Sequence, residues 1–203
     1  MHWIRRLYDW VLSWAETPYG AAALFVLAVT ESIFFPVPPD VLLIALALGQ
    51  RKRALYFGLI CSVGSLCGGA IGYMLGHYVW LTPDGFTPLA QFFFHNVPGF
   101  SESVYADLGR RFDEWGFVII FTAGFTPVPY KLFTISAGAF GTSFPLFLLA
   151  SVVSRTARFM LVSGLIWRFG EPVRIFIDRY FNWLAIAFTV LLVGGFALLK
   201  FLT

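Results

Sequence analysis

FPVPPD (residues 35–40) lies inside a long apolar stretch, and TPVPYK (residues 126–131) interrupts a second such stretch in the same manner. Proline lacks the amide donor that a helix needs, its ring clashes with the preceding turn, and the residue before it is pushed out of the helical region. Pro36, Pro38 and Pro39 therefore divide the first stretch into two helical arms, and Pro127 and Pro129 divide the second. One offset of 91 residues (127 minus 36) aligns both prolines of the repeated PVP, and it also pairs Asp40 with Lys131 and Ile44 with Ile135. The chain breaks itself twice in one way, with opposite charges at the matching position.

Outward from the two breaks, apolar segments cover residues 19–49, 54–80, 116–154, 159–167 and 183–202. A membrane span takes roughly 20 such residues. Of the 203 residues, 59% are hydrophobic and 12% charged, and the mean hydropathy is +0.78, values outside the usual soluble globular range that mark an integral membrane protein, expected to be all-α from the length of its apolar segments. No linker divides the chain, so residues 1–203 are read as a single membrane domain.

The flanking charges suggest how it is threaded. Arg5 and Arg6 precede the first broken pair and Arg51, Lys52 and Arg53 follow it, so the positive-inside rule puts both ends in the cytoplasm. The pair is then a re-entrant hairpin, and residues 16–80 comprise this hairpin and a crossing helix. Residues 81–115 form an external loop, with Asp84, Glu102, Asp107, Asp113 and Glu114 outweighing Arg110 and Arg111. Within it, SESVYADLGRRFDEW reads as a short surface helix capped by Ser101 or Ser103. Residues 116–170 hold the second hairpin, entering from the opposite face, and a return span from about Arg155 to Trp167. Residues 171–203 make a cytoplasmic connection and a last span. Two broken pairs inserted from opposite faces form an inverted repeat, which in many transporters places the substrate near the midplane.

At the N-terminus, Trp3, Leu7, Trp10, Val11 and Trp14 recur at helical spacing. Residues 1–15 are expected to form an amphipathic helix in the membrane interface; the same stripe would serve to pack on the protein's own surface. Gly64, Gly68, Gly72 and Gly76 recur every four residues on one helix face, a spacing that lets helix backbones approach closely in lipid. It suits either tight packing or a sliding surface for a moving hairpin.

Several classes are disfavoured. The net charge of +3 is scattered at segment ends and forms no stripe for a nucleic acid. Cys61 and Cys67 are six apart on different helix faces and read as small packing residues, and His2, His77 and His95 stand isolated, so neither a metal nor another cofactor is expected. No nucleophile has a base beside it, so the chain is not expected to be an enzyme.

Five ionisable residues lie in or near apolar segments: Glu31, Asp40, Lys131, Arg155 and Arg158. Each costs about 2.5–3.5 kcal/mol at the bilayer centre, so pairing is expected. They either fix the fold as mutual counter-ions or line a watery cavity and change partners as substrate or protons arrive. Lys131 opens a helical arm, where the helix dipole disfavours a cation by about 0.3–1 kcal/mol. It needs an anion, either Asp40 and Glu31 across the repeat or a ligand such as a lipid phosphate.

ESIFFPVPPDVLLIALALG (31–49) and FTAGFTPVPYKLFTISAGAFG (121–141) resemble the two signature regions of the DedA family, also called SNARE-associated or VTT-domain membrane proteins. TPVPYK is similar to the version found in its YqaA-type branch. The resemblance covers roughly residues 16–167. It implies two re-entrant hairpins facing each other, a bacterial inner membrane location, and flipping or scrambling of lipids such as undecaprenyl phosphate or phosphatidylethanolamine. It also implies that Glu31 and Asp40 are the family's acidic pair and that Lys131 stands where many members carry an essential arginine. A second family arginine falls on Gly124 here, and either Arg155 or Arg158 is placed to supply the missing charge. The expected function is a lipid translocase, with membrane lipids and protons as partners and a homo-oligomer allowed. A carrier of a small soluble ion and a non-transporting membrane homeostasis factor are the alternatives.

Overall fold

The computed structural model describes residue 10 and residues 13–83, 85–96, 101–126 and 128–170. The interfacial helix expected over 1–15 falls largely outside the described residues, as do Pro127 and the connection and last span expected over 171–203. The described chain is helical apart from one small antiparallel hairpin, β1 (Leu81–Thr82) and β2 (Gly85–Phe86), with Leu81 opposite Phe86.

Each proline motif ends one helix and begins the next. α1 (Gly20–Glu31) stops where Thr30 O collects the amides of Ile33, Phe34 and Phe35, and α2 (Pro39–Gly49) starts with Pro39 in its first turn, where its missing amide costs nothing. A turn at Arg51–Arg53 leads into α3 (Ala54–Trp80). After the β-hairpin come α4 (Pro88–Asn96) and α5 (Glu102–Phe125); the second break follows, then α6 (Tyr130–Ala139) and α7 (Phe144–Phe169).

Two boundaries differ from the sequence reading. The surface helix expected within 81–115 is not separate: α5 is a continuous helix of 24 residues, starting at Ser101, whose Oγ accepts from Val104 N at 3.4 Å, and running on into the arm before the second break. Gly109 and Gly116 do not interrupt it. The return span begins at Phe144, not near Arg155. Gly141 turns the chain at φ 69° and Pro145 sits in the first turn of α7, so Arg155 and Arg158 fall near its middle.

The 91-residue offset extends over whole elements: α2 maps onto α6 and α3 onto α7 (39 to 130, 54 to 145). α1 packs on α3 as α5 packs on α7, and the two arms of each broken pair touch. α3 and α7 pack against each other at the centre. The glycine stripe of α3 explains how it serves both units. A Cβ at Gly64 would lie 2.8 Å from Phe25 O and one at Gly68 2.8 Å from Ser32 Cβ, both reaching α1 and its end. A Cβ at Gly72 would lie 2.5 Å from Thr134 Oγ1, and one at Gly76 would collide with Ile135 O on α6. Half the stripe seats the first unit and half the second. Apolar cores lie on either side, one around Leu24, Leu43 and Phe159 and one around Ile120, Tyr130 and Phe147. Cys61 is buried in the first core, whereas Cys67 is exposed and is not the packing residue expected.

Candidate functional site

All five ionisable residues meet at the two breaks. Glu31 closes α1 and Asp40 sits in the first turn of α2, so both acids come from the first unit; Lys131 on α6 and Arg155 and Arg158 on α7 come from the second. Arg155 and Arg158 are three apart and share a face of α7.

Arg155 is the most deeply placed, only 3% exposed. Its Nε donates to Ser65 Oγ at 2.6 Å and its Nη2 to Glu31 Oε2 at 3.4 Å. Its guanidinium lies 4.7 Å from the ring centre of Tyr130 and 4.6 Å from that of Phe159, so two aromatic faces solvate the charge. Ser65 is held in turn by Ser32 Oγ at 3.0 Å, and Tyr130 donates to Ser151 Oγ at 2.6 Å. Gly124 makes room for this arrangement: a Cβ there would collide with Ser154 Oγ and come within 3.4 Å of Arg155 Cδ.

Arg158 holds Asp40 bidentately, Nε to Oδ1 at 3.3 Å and Nη2 to Oδ2 at 3.0 Å. Its Nη1 also donates to Phe125 O at 3.3 Å, at the end of α5. Lys131 Nζ donates to Phe35 O at 3.0 Å and Phe34 O at 3.5 Å. Phe34 and Phe125 are equivalent under the 91-residue offset, so the same carbonyl at each break is met by a cation. The cause is common to both: proline ends the first arm, its last carbonyls have no following amide, and the negative end of the helix dipole attracts positive charge.

Of the two kinds of anion expected for Lys131, the acids Asp40 and Glu31 are not its hydrogen-bond partners. Each acid is engaged by an arginine of α7, and Lys131 offsets the unfavourable end of its own helix against the carbonyl end of the opposite one. Among the described residues, Lys131 has no carboxylate within ion-pair distance. Glu31 remains within electrostatic reach of Asp40, Lys131, Arg155 and Arg158.

Sequence reasoning missed Ser32, Ser65, Tyr130 and the carbonyls of Phe34, Phe35 and Phe125. Ser65 had a weak signal, as a polar residue beside the glycine stripe of a mostly apolar helix, shared with Ser62, which is buried too. The carbonyls carry no side-chain signature.

Two helices, Arg51–Trp80 and Phe144–Phe169, are long and apolar enough to cross a membrane, and two shorter apolar helices, Gly20–Glu31 and Pro39–Gly49, precede them, the make-up of an α-helical membrane protein. The chain belongs to the VTT domain family, the DedA family of membrane proteins, whose domain matches residues 37–168. It is similar to an uncharacterized protein of Haemophilus influenzae, 31% identical over 194 residues that cover 96% of each chain. It is also similar to a protein of Histophilus somni described as uncharacterized, 38% identical over 159 residues, 78% of each. No solved structure matches the chain.

Proposed function

We propose that this protein is a lipid translocase, flippase-like or scramblase-like, that passes the phosphate-bearing headgroup of an anionic or zwitterionic lipid between the two breaks while the tails stay in the bilayer. The observation that carries the reading is Lys131: a cation placed among four other ionisable residues and, among the described residues, bonded only to the backbone carbonyls of Phe34 and Phe35. A phosphate oxygen is a stronger acceptor than a carbonyl and would displace Phe34 O and Phe35 O. Arg158, shared between Asp40 and Phe125 O, is the second cation a headgroup can recruit. Arg155 is enclosed by side chains and holds the floor of the site. Glu31 and Asp40 keep the arginines in place when no lipid is bound, and protonation of either acid would release its partner, a route to proton coupling.

In this reading the broken pairs are re-entrant hairpins. α1 and α2 have 12 and 11 residues, and at 1.5 Å per residue each reaches about 17 Å, roughly half of a 30 Å hydrocarbon core. The chain then sits in the bacterial inner membrane as a multi-pass protein with its N-terminus in the cytoplasm. It performs no covalent chemistry.

Reconstitution in liposomes tests the proposal. Labelled polyprenyl phosphate or phosphatidylethanolamine should cross faster than in protein-free vesicles, and Lys131→Ala should slow it roughly 10- to 100-fold, the worth of a charged hydrogen bond. Lipid movement at the protein-free rate, with substrate-dependent currents of a small ion instead, would replace this reading with that of an ion carrier.

A further inference from the structure

Arg51, Lys52 and Arg53 form a turn that leads directly into α3. Arg51 Nε donates to Trp167 O at 2.9 Å and Nη2 to Arg168 O at 2.7 Å, which joins two basic segments from distant parts of the chain at one corner. Gly170 completes the corner: it ends α7 at φ 68°, and a Cβ there would lie 3.2 Å from Arg51 Nη1. The charge of Arg51 is thus engaged by the carbonyl end of α7, a local concentration of negative partial charge. Lys52, Arg53 and Arg168 are left exposed, and among the described residues no carboxylate lies within ion-pair distance of them. The N-terminal end of α3, a helix of 27 residues, adds partial positive charge at the same place.

Aromatic residues surround the corner. Tyr56, Trp167 and Phe169 are each at least half exposed, and the Arg168 guanidinium lies 5.6 Å from the Phe169 ring centre. Cations beside the amphipathic rings of Tyr56 and Trp167, at the ends of two helices able to cross a membrane, match the chemistry of the headgroup layer. Basic clusters between such helices attract anionic headgroups. The exposed Leu59 and Leu165 continue down α3 and α7 from this corner and offer apolar surface to acyl chains.

We propose that Lys52, Arg53 and Arg168 form a binding site for the headgroup of an anionic phospholipid, a resident lipid that secures the junction between the start of α3 and the end of α7. Arg51 is a positioning residue that aligns the two segments. The site is separate from the paired charges: Trp167 stands 12 residues beyond Arg155, about 18 Å along the helix. Three cations without an ion-pair partner among the described residues favour a doubly charged headgroup over a singly charged one.

The test uses the purified full chain in neutral detergent, with thermal unfolding followed as lipid is added. Diphosphatidylglycerol should raise the melting temperature at lower concentration than phosphatidylglycerol, and phosphatidylcholine should do neither. The variant K52Q/R53Q/R168Q should need about a hundredfold more diphosphatidylglycerol for the same shift, about fivefold per cation removed. R168Q alone gives the fivefold step should the triple variant not fold. An equal response to phosphatidylcholine, an unchanged response in these variants, or the full shift from inorganic phosphate alone would overturn the proposal. Lys131→Ala should keep the anionic preference; its loss there would place the lipid at the breaks and likewise remove the second site. Failure of lipid translocation in liposomes leaves these outcomes unaffected.

Discussion

At the scale of the residue, the two arginines of α7 have unlike duties. Arg155 is enclosed by Ser65, Glu31, Tyr130 and Phe159, so removing it strands the Glu31 carboxylate in a largely apolar setting. Arg155→Ala should destabilise the fold by about 3–5 kcal/mol, seen as a lower melting temperature in detergent. Arg155→Lys should recover little of that, because an ammonium cannot reach Ser65 and Glu31 from one planar fork while stacking on two rings. Asp40 and Arg158 are each about 15% exposed at the side chain, and a double-mutant cycle with Asp40→Asn and Arg158→Gln should report a coupling of about 1–3 kcal/mol. The charges themselves were legible in the sequence, since ionised residues in apolar helices stand out. Their partners were not. Aligning Asp40 with Lys131 identifies equivalent positions in a repeat, and equivalence becomes contact only for residues beside the relating axis; these two face different neighbours.

At the scale of the element, the tight surface is that between α3 and α6. A Cβ at Gly76 meets the Ile135 carbonyl and one at Gly138 meets the Tyr73 carbonyl, both backbone atoms that cannot swing aside. Gly76→Ala should therefore cost about 1–3 kcal/mol by overpacking. Gly109, inside α5 with nothing near its Cβ position, supplies the contrast: Gly109→Ala should add about 0.5–1 kcal/mol through reduced backbone freedom. Melting curves of the two variants, moving in opposite directions, check the pair. The stripe and the breaks were visible beforehand because each is a local pattern, four-residue spacing in one case and repeated proline in the other. The start of α7 was read too late because the segment from Phe140 to Phe147 is as apolar as the helices around it. Hydropathy alone does not register a turn there, and only Gly141 and Pro145 mark it.

At the scale of the whole molecule, the two units are alike in outline and unlike in charge. The first contributes both acids, the second all three bases, so neither unit alone neutralises its ionised groups in an apolar surrounding. Their association supplies the counter-ions, and the helix-end carbonyls at both breaks are met by cations from the second unit alone. The packing departs from symmetry as well: α6 lies closely on α3, whereas α2 meets α7 over a lighter contact that includes the Asp40–Arg158 pair. Whether the units enter a membrane from opposite faces is an experimental matter that the length of α3 makes sharp. Its 27 residues rise about 40 Å, more than a hydrocarbon core of about 30 Å, so the segments at its two ends should be separated by the bilayer. With the exposed Cys67 replaced by serine and the buried Cys61 retained, Lys52→Cys and Glu102→Cys report the two ends. A membrane-impermeant maleimide added to intact spheroplasts should label Glu102→Cys and spare Lys52→Cys until the membrane is opened. Labelling of both from one side would mean that α3 does not cross, and the opposed insertion of the two breaks would fail with it, because α3 is the element that carries the chain from one face to the other between them.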